Sequence, residues 1–136
     1  MKSEPEMRAA ALESVIGHAR EAAPHECCGL LLGSGEAITD AVRTRNMADA
    51  PETQFLIDPG DHIVARRQAR ARGLEIVGFY HSHPRSPAEP SDRDRAEFSY
   101  ADHLYLIVSV RTEPPEVGLF RFDAGNFRRL RFVTVA

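Results

Sequence analysis

Gly78-Phe79-Tyr80-His81-Ser82-His83-Pro84-Arg85-Ser86-Pro87-Ala88-Glu89-Pro90-Ser91-Asp92-Arg93-Asp94 is the stretch around which the rest of the chain is organised. It ends an apolar run that begins at Leu74. Side chains on a strand alternate between faces, so Val77, Phe79, His81 and His83 are expected on one face and Ile76, Gly78, Tyr80 and Ser82 on the other. Both imidazoles can therefore reach one ion. Pro84 cannot extend a central ladder, which places the histidines at the C-terminal end of the strand, where sites in open α/β sheets form. A proline-punctuated loop then gives way to Ser91-Asp92-Arg93-Asp94, a helix start. Ser91 at N-cap with Asp94 at N3 is an ordinary capping pair in its own right, and the same pair aims the Asp94 carboxylate. Asp92 at N1 complements the helix dipole.

Upstream, Leu12, Val15, Ile16, Ala19 and Ala22 recur at helical spacing across 8–23, and Pro24 ends that helix. His18 lies on its polar side and reads as solvated. His25-Glu26-Cys27-Cys28 then leads into 29–33, a short apolar run bounded by glycines that reads as a buried strand. Glu26 thus stands at the mouth of a core strand. A second strand is expected over 37–46 and an extended piece over 54–57. A helix over 59–72 has Asp58 at N-cap, Pro59 at its first position and Gly73 as its stop, with His62 and Arg66, Arg67, Arg70 and Arg72 as surface positions.

The histidine strand spans 74–83 and a third helix 91–100. The almost wholly apolar run 103–110 is expected at the centre of the sheet, and strands 117–122 and 127–135 flank the hairpin turn Asp123-Ala124-Gly125-Asn126. This order makes residues 1–136 one α/β domain, a mixed β-sheet flanked by helices.

Composition bounds the function. A chain of 136 residues hides roughly 70% of its unfolded surface and needs no staple. A hydrophobic share of 43% and a charged share of 27% are those of an ordinary soluble protein, and a net charge of −3 gives no pull towards nucleic acid. Cys27 and Cys28 are adjacent, so a disulfide framework is excluded; Cys28 reads as a small core residue and Cys27 stays unassigned. The chain opens on no apolar leader, and no window approaches the ~18 apolar residues of a membrane span, so a cytoplasmic protein with neither nucleic acid nor membrane as partner is expected.

Two imidazole nitrogens and one carboxylate oxygen, with a fourth position left to water, are the ligand set of a catalytic rather than a structural zinc site. Hydrolysis there also needs a general base and an oxyanion donor; Glu26 and Ser91 are the candidates. A nucleoside deaminase would need His-x-Glu and Pro-Cys-x-x-Cys, and the sequence has neither. A ferrous oxygenase can use two histidines and a carboxylate, but its usual all-β setting does not fit these helices.

The spacing His81-x-His83-x7-Ser91-x2-Asp94 resembles at every position the JAMM, or MPN-plus, motif of zinc metallopeptidases. Pro24-His25-Glu26-Cys27-Cys28-Gly29-Leu30-Leu31-Leu32-Gly33 is similar to the glutamate-bearing segment of the short prokaryotic members, and the resemblance covers about residues 10–135. It implies a cytidine-deaminase-like α/β fold with one zinc ion (Zn2+) per chain on His81, His83 and Asp94. It further implies that Glu26 handles the proton and Ser91 stabilises the tetrahedral intermediate. The chain has no room for the insertions with which eukaryotic deubiquitinating members hold ubiquitin. Short prokaryotic members act on the C-terminal tails of ubiquitin-like sulfur-carrier proteins, releasing an attached amino acid such as cysteine or trimming a tail after Gly-Gly. The partner so implied is a ubiquitin-like sulfur-carrier protein or its amino-acid conjugate, its tail bound extended along a strand edge. The alternative is a non-catalytic MPN-type protein-binding scaffold, members of which usually lack the metal ligands. The oligomeric state is left open.

Overall fold

The computed structural model describes residues 4–97 and 103–136, with the side chains of 95–97 outside the description. In chain order the elements are β1 (Glu6–Arg8), α1 (Ala9–Ala22), β2 (Cys28–Ser34), β3 (Ala37–Thr44), α2 (Pro59–Ala71), β4 (Glu75–His83), α3 (Asp92–Glu97), β5 (Leu104–Ser109), β6 (Glu116–Asp123), β7 (Asn126–Leu130) and β8 (Val133–Val135). The expected continuation of α3 to residue 100 lies outside the described residues.

Among the described residues, eight strands form one mixed sheet in the order β7-β6-β5-β4-β2-β3-β1-β8. β4 and β5 run parallel, as the crossover through α3 requires, and β2 lies antiparallel to both β3 and β4. β5, expected at the centre, is third from one edge and is buried along its whole length.

β7 and β8 stand at opposite ends of the strand order, yet only Arg131 and Phe132 separate them in sequence. A chain advances at most ~3.6 Å per residue, so the two edges lie side by side and the sheet is curled. Arg121 on β6 and Glu36 in the β2–β3 turn, paired at 2.8 Å, bridge the same curl. The single strand expected over 127–135 is therefore two: the chain leaves β6 after Leu130, turns Phe132 against the core, and pairs Val133–Val135 with β1. β1 and β8, at three residues each, are too short for a two-residue period to register.

The two longer helices pack on opposite faces of the sheet. Leu104, Leu106 and Val108 of β5 pack with Val15 and Ala19 of α1, while Tyr105 and Ile107 pack with Ala65 of α2. The expected alternation along β4 holds from Gly78 to His83 and fails at Val77. Leu31 pairs with Gly78 but Leu32 pairs with Ile76, so Val77 is bulged out of register and joins Tyr80 in the α1 core. Ile76 consequently joins Phe79 on the α2 side. Gly29 lets β2 run close under β4: a Cβ there would stand 2.2 Å from the Tyr80 ring.

The cap expected for α2 is present, with the Asp58 carboxylate accepting the Asp61 N–H at 3.0 Å. The hairpin is also as expected, Ala124 and Gly125 both lying at positive φ (51° and 82°), as a two-residue type I′ loop requires. His18 is not a solvated residue. It is half-buried, its Nδ1 is 2.7 Å from the hydroxyl of the buried Tyr80, and burial together with Arg43 lowers its pKa to about 4. Among the described residues, no helix is long and apolar enough to cross a membrane.

Candidate metal centre

His81 and His83 close β4 on the face that α2 covers, and both rings are buried. Their Nε2 atoms are 3.1 Å apart, and the Asp94 Oδ2 lies 3.1 Å from the first and 3.2 Å from the second. Ligands held ~2.0–2.1 Å from a tetrahedral ion are separated by about 3.3 Å, so this triangle has nearly the dimensions of one face of a zinc site. The Nδ1 of His83 is 2.7 Å from the Pro87 carbonyl, which can only accept, so Nδ1 carries a hydrogen and Nε2 is the nitrogen that, once deprotonated, would offer a lone pair to an ion in the triangle. The residues present fit a divalent ion of the zinc type.

The loop 84–91 is held against the sheet by its own contacts. Ser109, fully buried on β5, donates to the Ser86 carbonyl at 2.6 Å, and the Val110 N–H donates to the His83 carbonyl at 3.3 Å. Ala88 packs on β6 at Gly118, where a Cβ would come within 2.5 Å of the Ala88 carbonyl oxygen. At the end of the loop the Asp94 N–H donates to the Ser91 Oγ at 3.0 Å and the Ser91 N–H to the Asp94 Oδ2 at 2.9 Å, a reciprocal cap. The cap engages a lone pair of the Ser91 oxygen and leaves its hydroxyl proton available to another acceptor.

Glu26 stands two residues before the neighbouring strand, β2. Cys28 pairs with His81, and the Ser82 N–H donates to the Cys27 carbonyl, so the register carried on by two residues sets Glu26 opposite His83. Glu26, His81 and His83 each offer an atom within 4.8 Å of the others. All five residues singled out in the sequence thus gather at one end of β4, with Ser91 and Asp94 contributed by α3 and its cap.

Electrostatics separate the two carboxylates. Burial pushes the Glu26 carboxyl up to about 7; the Asp94 charge adds to this, and His83 and Arg93 oppose it. Burial acts the same way on Asp94, but hydrogen bonds from the two imidazoles outweigh it and hold that carboxyl well below the usual range. Burial lowers the pKa of His81, whereas at His83 it is outweighed by Asp94 and the Pro87 carbonyl, and the pKa rises. Cys27 and Cys28 are buried, and desolvation pushes their thiols up to about 12 and about 11, far from a reactive thiolate.

Three participants escaped the sequence reading. Phe55, in the loop 46–57, stacks on His81 with ring centroids 4.2 Å apart. Asn46 opens that loop and donates to the Glu26 carbonyl at 2.9 Å. Ser109 is one more residue in an apolar strand until the fold brings Ser86 to it. The one available signal was an aromatic stranded in a short extended piece.

The sequence profile described as prokaryotic homologs of the JAB domain matches residues 8–123. The chain belongs to this family. One relative, the desampylase of Haloferax volcanii, is 38% identical over 109 residues, which make up 76% of this chain and 78% of the relative. Another, the probable TtuB-protein conjugate cleaving protease of Thermus thermophilus, is 36% identical over 86 residues, 63% of this chain and 57% of the relative. A JAB1/MPN domain protein from Archaeoglobus fulgidus superposes over 100% of both chains with a TM-score of 0.65 at 18% identity, a likeness of fold. The JAB-family assignment agrees with the curled mixed sheet and its helices, and with the motif on which the JAMM resemblance rests.

Proposed function

We propose that this JAB-family chain is a zinc-dependent peptidase that hydrolyses an amide bond at the C-terminal tail of a ubiquitin-like sulfur-carrier protein. The observation that carries the reading is the triangle of His81, His83 and Asp94 donor atoms with the Glu26 carboxylate beside it. Zinc held on those three residues would supply an attacking water acidified to a pKa near 7 and polarise the scissile carbonyl.

Glu26, buried and with a pKa of about 7, takes the proton of the attacking water and returns it to the leaving amine. The Ser91 hydroxyl donates its uncommitted proton to the oxygen that gains negative charge. Pro87, through Nδ1 of His83, holds that ring in one tautomer and orientation. Phe55 covers one face of the His81 ring. The names of the Haloferax and Thermus relatives support a protein conjugate as substrate. The leaving amine is then a lysine side chain or a released amino acid, and the carrier tail lies extended across the site.

Incubating the zinc-loaded chain with carrier conjugates and weighing the products tests the reading. Glu26→Gln should keep its zinc and lose hydrolysis by about 10²–10⁴-fold. His83→Ala should lose both. Full activity in Glu26→Gln would remove it as the base. A chain that binds no metal, and cleaves nothing when zinc is added, would be the non-catalytic scaffold instead.

A further inference from the structure

We infer that Asn46 is a positioning residue for this reaction, locking the main chain of Glu26 to the loop 46–57 so that one loop holds both the base and the ring of His81. The inference rests on the function proposed above. A carboxamide has two N–H donors and an oxygen with two lone pairs, and Asn46 uses all four on main-chain partners. Its Nδ2 donates to the carbonyls of Glu26 (2.9 Å) and Gln54 (3.0 Å), while its Oδ1 accepts from the N–H groups of Ala48 (3.0 Å) and Leu56 (3.1 Å). The reverse orientation of the amide would set donors against donors and acceptors against acceptors, so the partners dictate it.

Glu26 precedes β2 and therefore depends on other partners than the ladder. Its N–H donates to the Pro51 carbonyl at 2.7 Å and its carbonyl accepts from Asn46, so both of its flanking peptide groups end on the loop 46–57. Phe55, between Gln54 and Leu56, both of which Asn46 grips, is the residue stacked on His81. The stems of the loop have separate ties: Arg45 pairs with Asp58 (2.9 Å) and Asp61 (3.2 Å), and the Met47 N–H donates to the Leu56 carbonyl at 2.8 Å. Loss of the amide therefore frees the Glu26 carbonyl and its three partners in the loop, leaving the Glu26 N–H on Pro51 and the loop's ends tied.

Asn46→Asp discriminates best. It keeps the shape and the two acceptor contacts but turns an oxygen towards the carbonyls of Glu26 and Gln54. Asn46→Ala removes all four bonds and serves if the aspartate variant does not fold. The zinc-loaded variants should keep their metal, show kcat reduced about 10–100-fold with KM little changed, and lose nothing further when combined with Glu26→Gln. In the metal-free chain, hydrogen exchange at the Ala48, Leu56 and Glu26 amides should quicken in Asn46→Ala. Unchanged kcat, a loss that tracks zinc content, a loss carried by KM, or a full additional loss on top of Glu26→Gln would each overturn the inference. A wild-type chain that cleaves no conjugate overturns the proposed function and this inference with it. An active wild type with an equally active Asn46→Asp overturns the inference alone.

Discussion

Two loops flank the same pair of imidazoles and are fixed by opposite means. The loop 84–91 is anchored at many points by different residues, through the His83 ring on the Pro87 carbonyl, Ser109 on the Ser86 carbonyl, Ala88 against Gly118, and the reciprocal Ser91–Asp94 cap. In the loop 46–57 a single carboxamide makes four main-chain bonds, and ion pairs hold the stems. The first loop joins the candidate ligands that close β4 to the one on α3; the second grips Glu26 and covers His81. Ligands need fixed residue types at fixed spacing, whereas support needs only a hub of the right hydrogen-bonding capacity.

The largest effect should come at Asp94, which the loop 84–91 delivers at the start of α3. Asp94→Asn retains a cap acceptor but removes the charge, and metal analysis should find its zinc gone and hydrolysis abolished; a variant that still holds zinc would remove Asp94, the residue that the loop 84–91 delivers, from the ligand set. Next come the anchors of that loop. Gly118→Ala forces a Cβ against the Ala88 carbonyl and should cost about 1–3 kcal/mol. Ser109→Ala leaves the Ser86 carbonyl without its donor and should cost a similar amount. Both are read from urea unfolding of the metal-free chain, and wild-type midpoints would show that the loop is fixed elsewhere.

Phe55→Leu keeps an apolar cover on His81 but loses the ring stack. It should cost about 0.5–1.5 kcal/mol in the same assay and leave the zinc content intact, in contrast to Asp94→Asn.

The smallest effect lies outside both loops. Burial holds the pKa of His18 at about 4 against 6.5 when unfolded, so between those values the unfolded chain binds more protons. The stability that His18 contributes is complete above pH 6.5 and is lost as pH falls towards 4, by about 1 kcal/mol after allowance for solvent screening. His18→Gln should flatten that window of the stability profile. A wild-type profile already flat there would contradict the depressed value.

How much of this was legible varied with the length of the signal. The Asp58-Pro59 start and Gly73 stop of α2 and the Ala124-Gly125 turn are local devices, written in adjacent residues and found in place. The bulge at Val77 has no such mark, because apolar residues stand on both sides of it and either alternation reads well. His18 was misread because helical periodicity reports the angle of a side chain about its axis and not whether a tyrosine from another strand lies there. Asn46 looks like any polar residue at the end of a strand until its four partners are assembled around it.

By itself the sequence determined the local arrangement of the candidate ligands. Two imidazoles at alternate strand positions, a loop too proline-rich to continue the strand, and a capped carboxylate are all local, and short-range geometry makes them converge. The tertiary structure alone decided how distant segments reach that site. The β2–β4 register carries Glu26 to His83, the curl of the sheet brings its two edges together, and the loop 46–57 folds back over His81. Those are pairings between segments far apart in the chain, and their register is selected by the burial of whole faces of the sheet, not by any one residue.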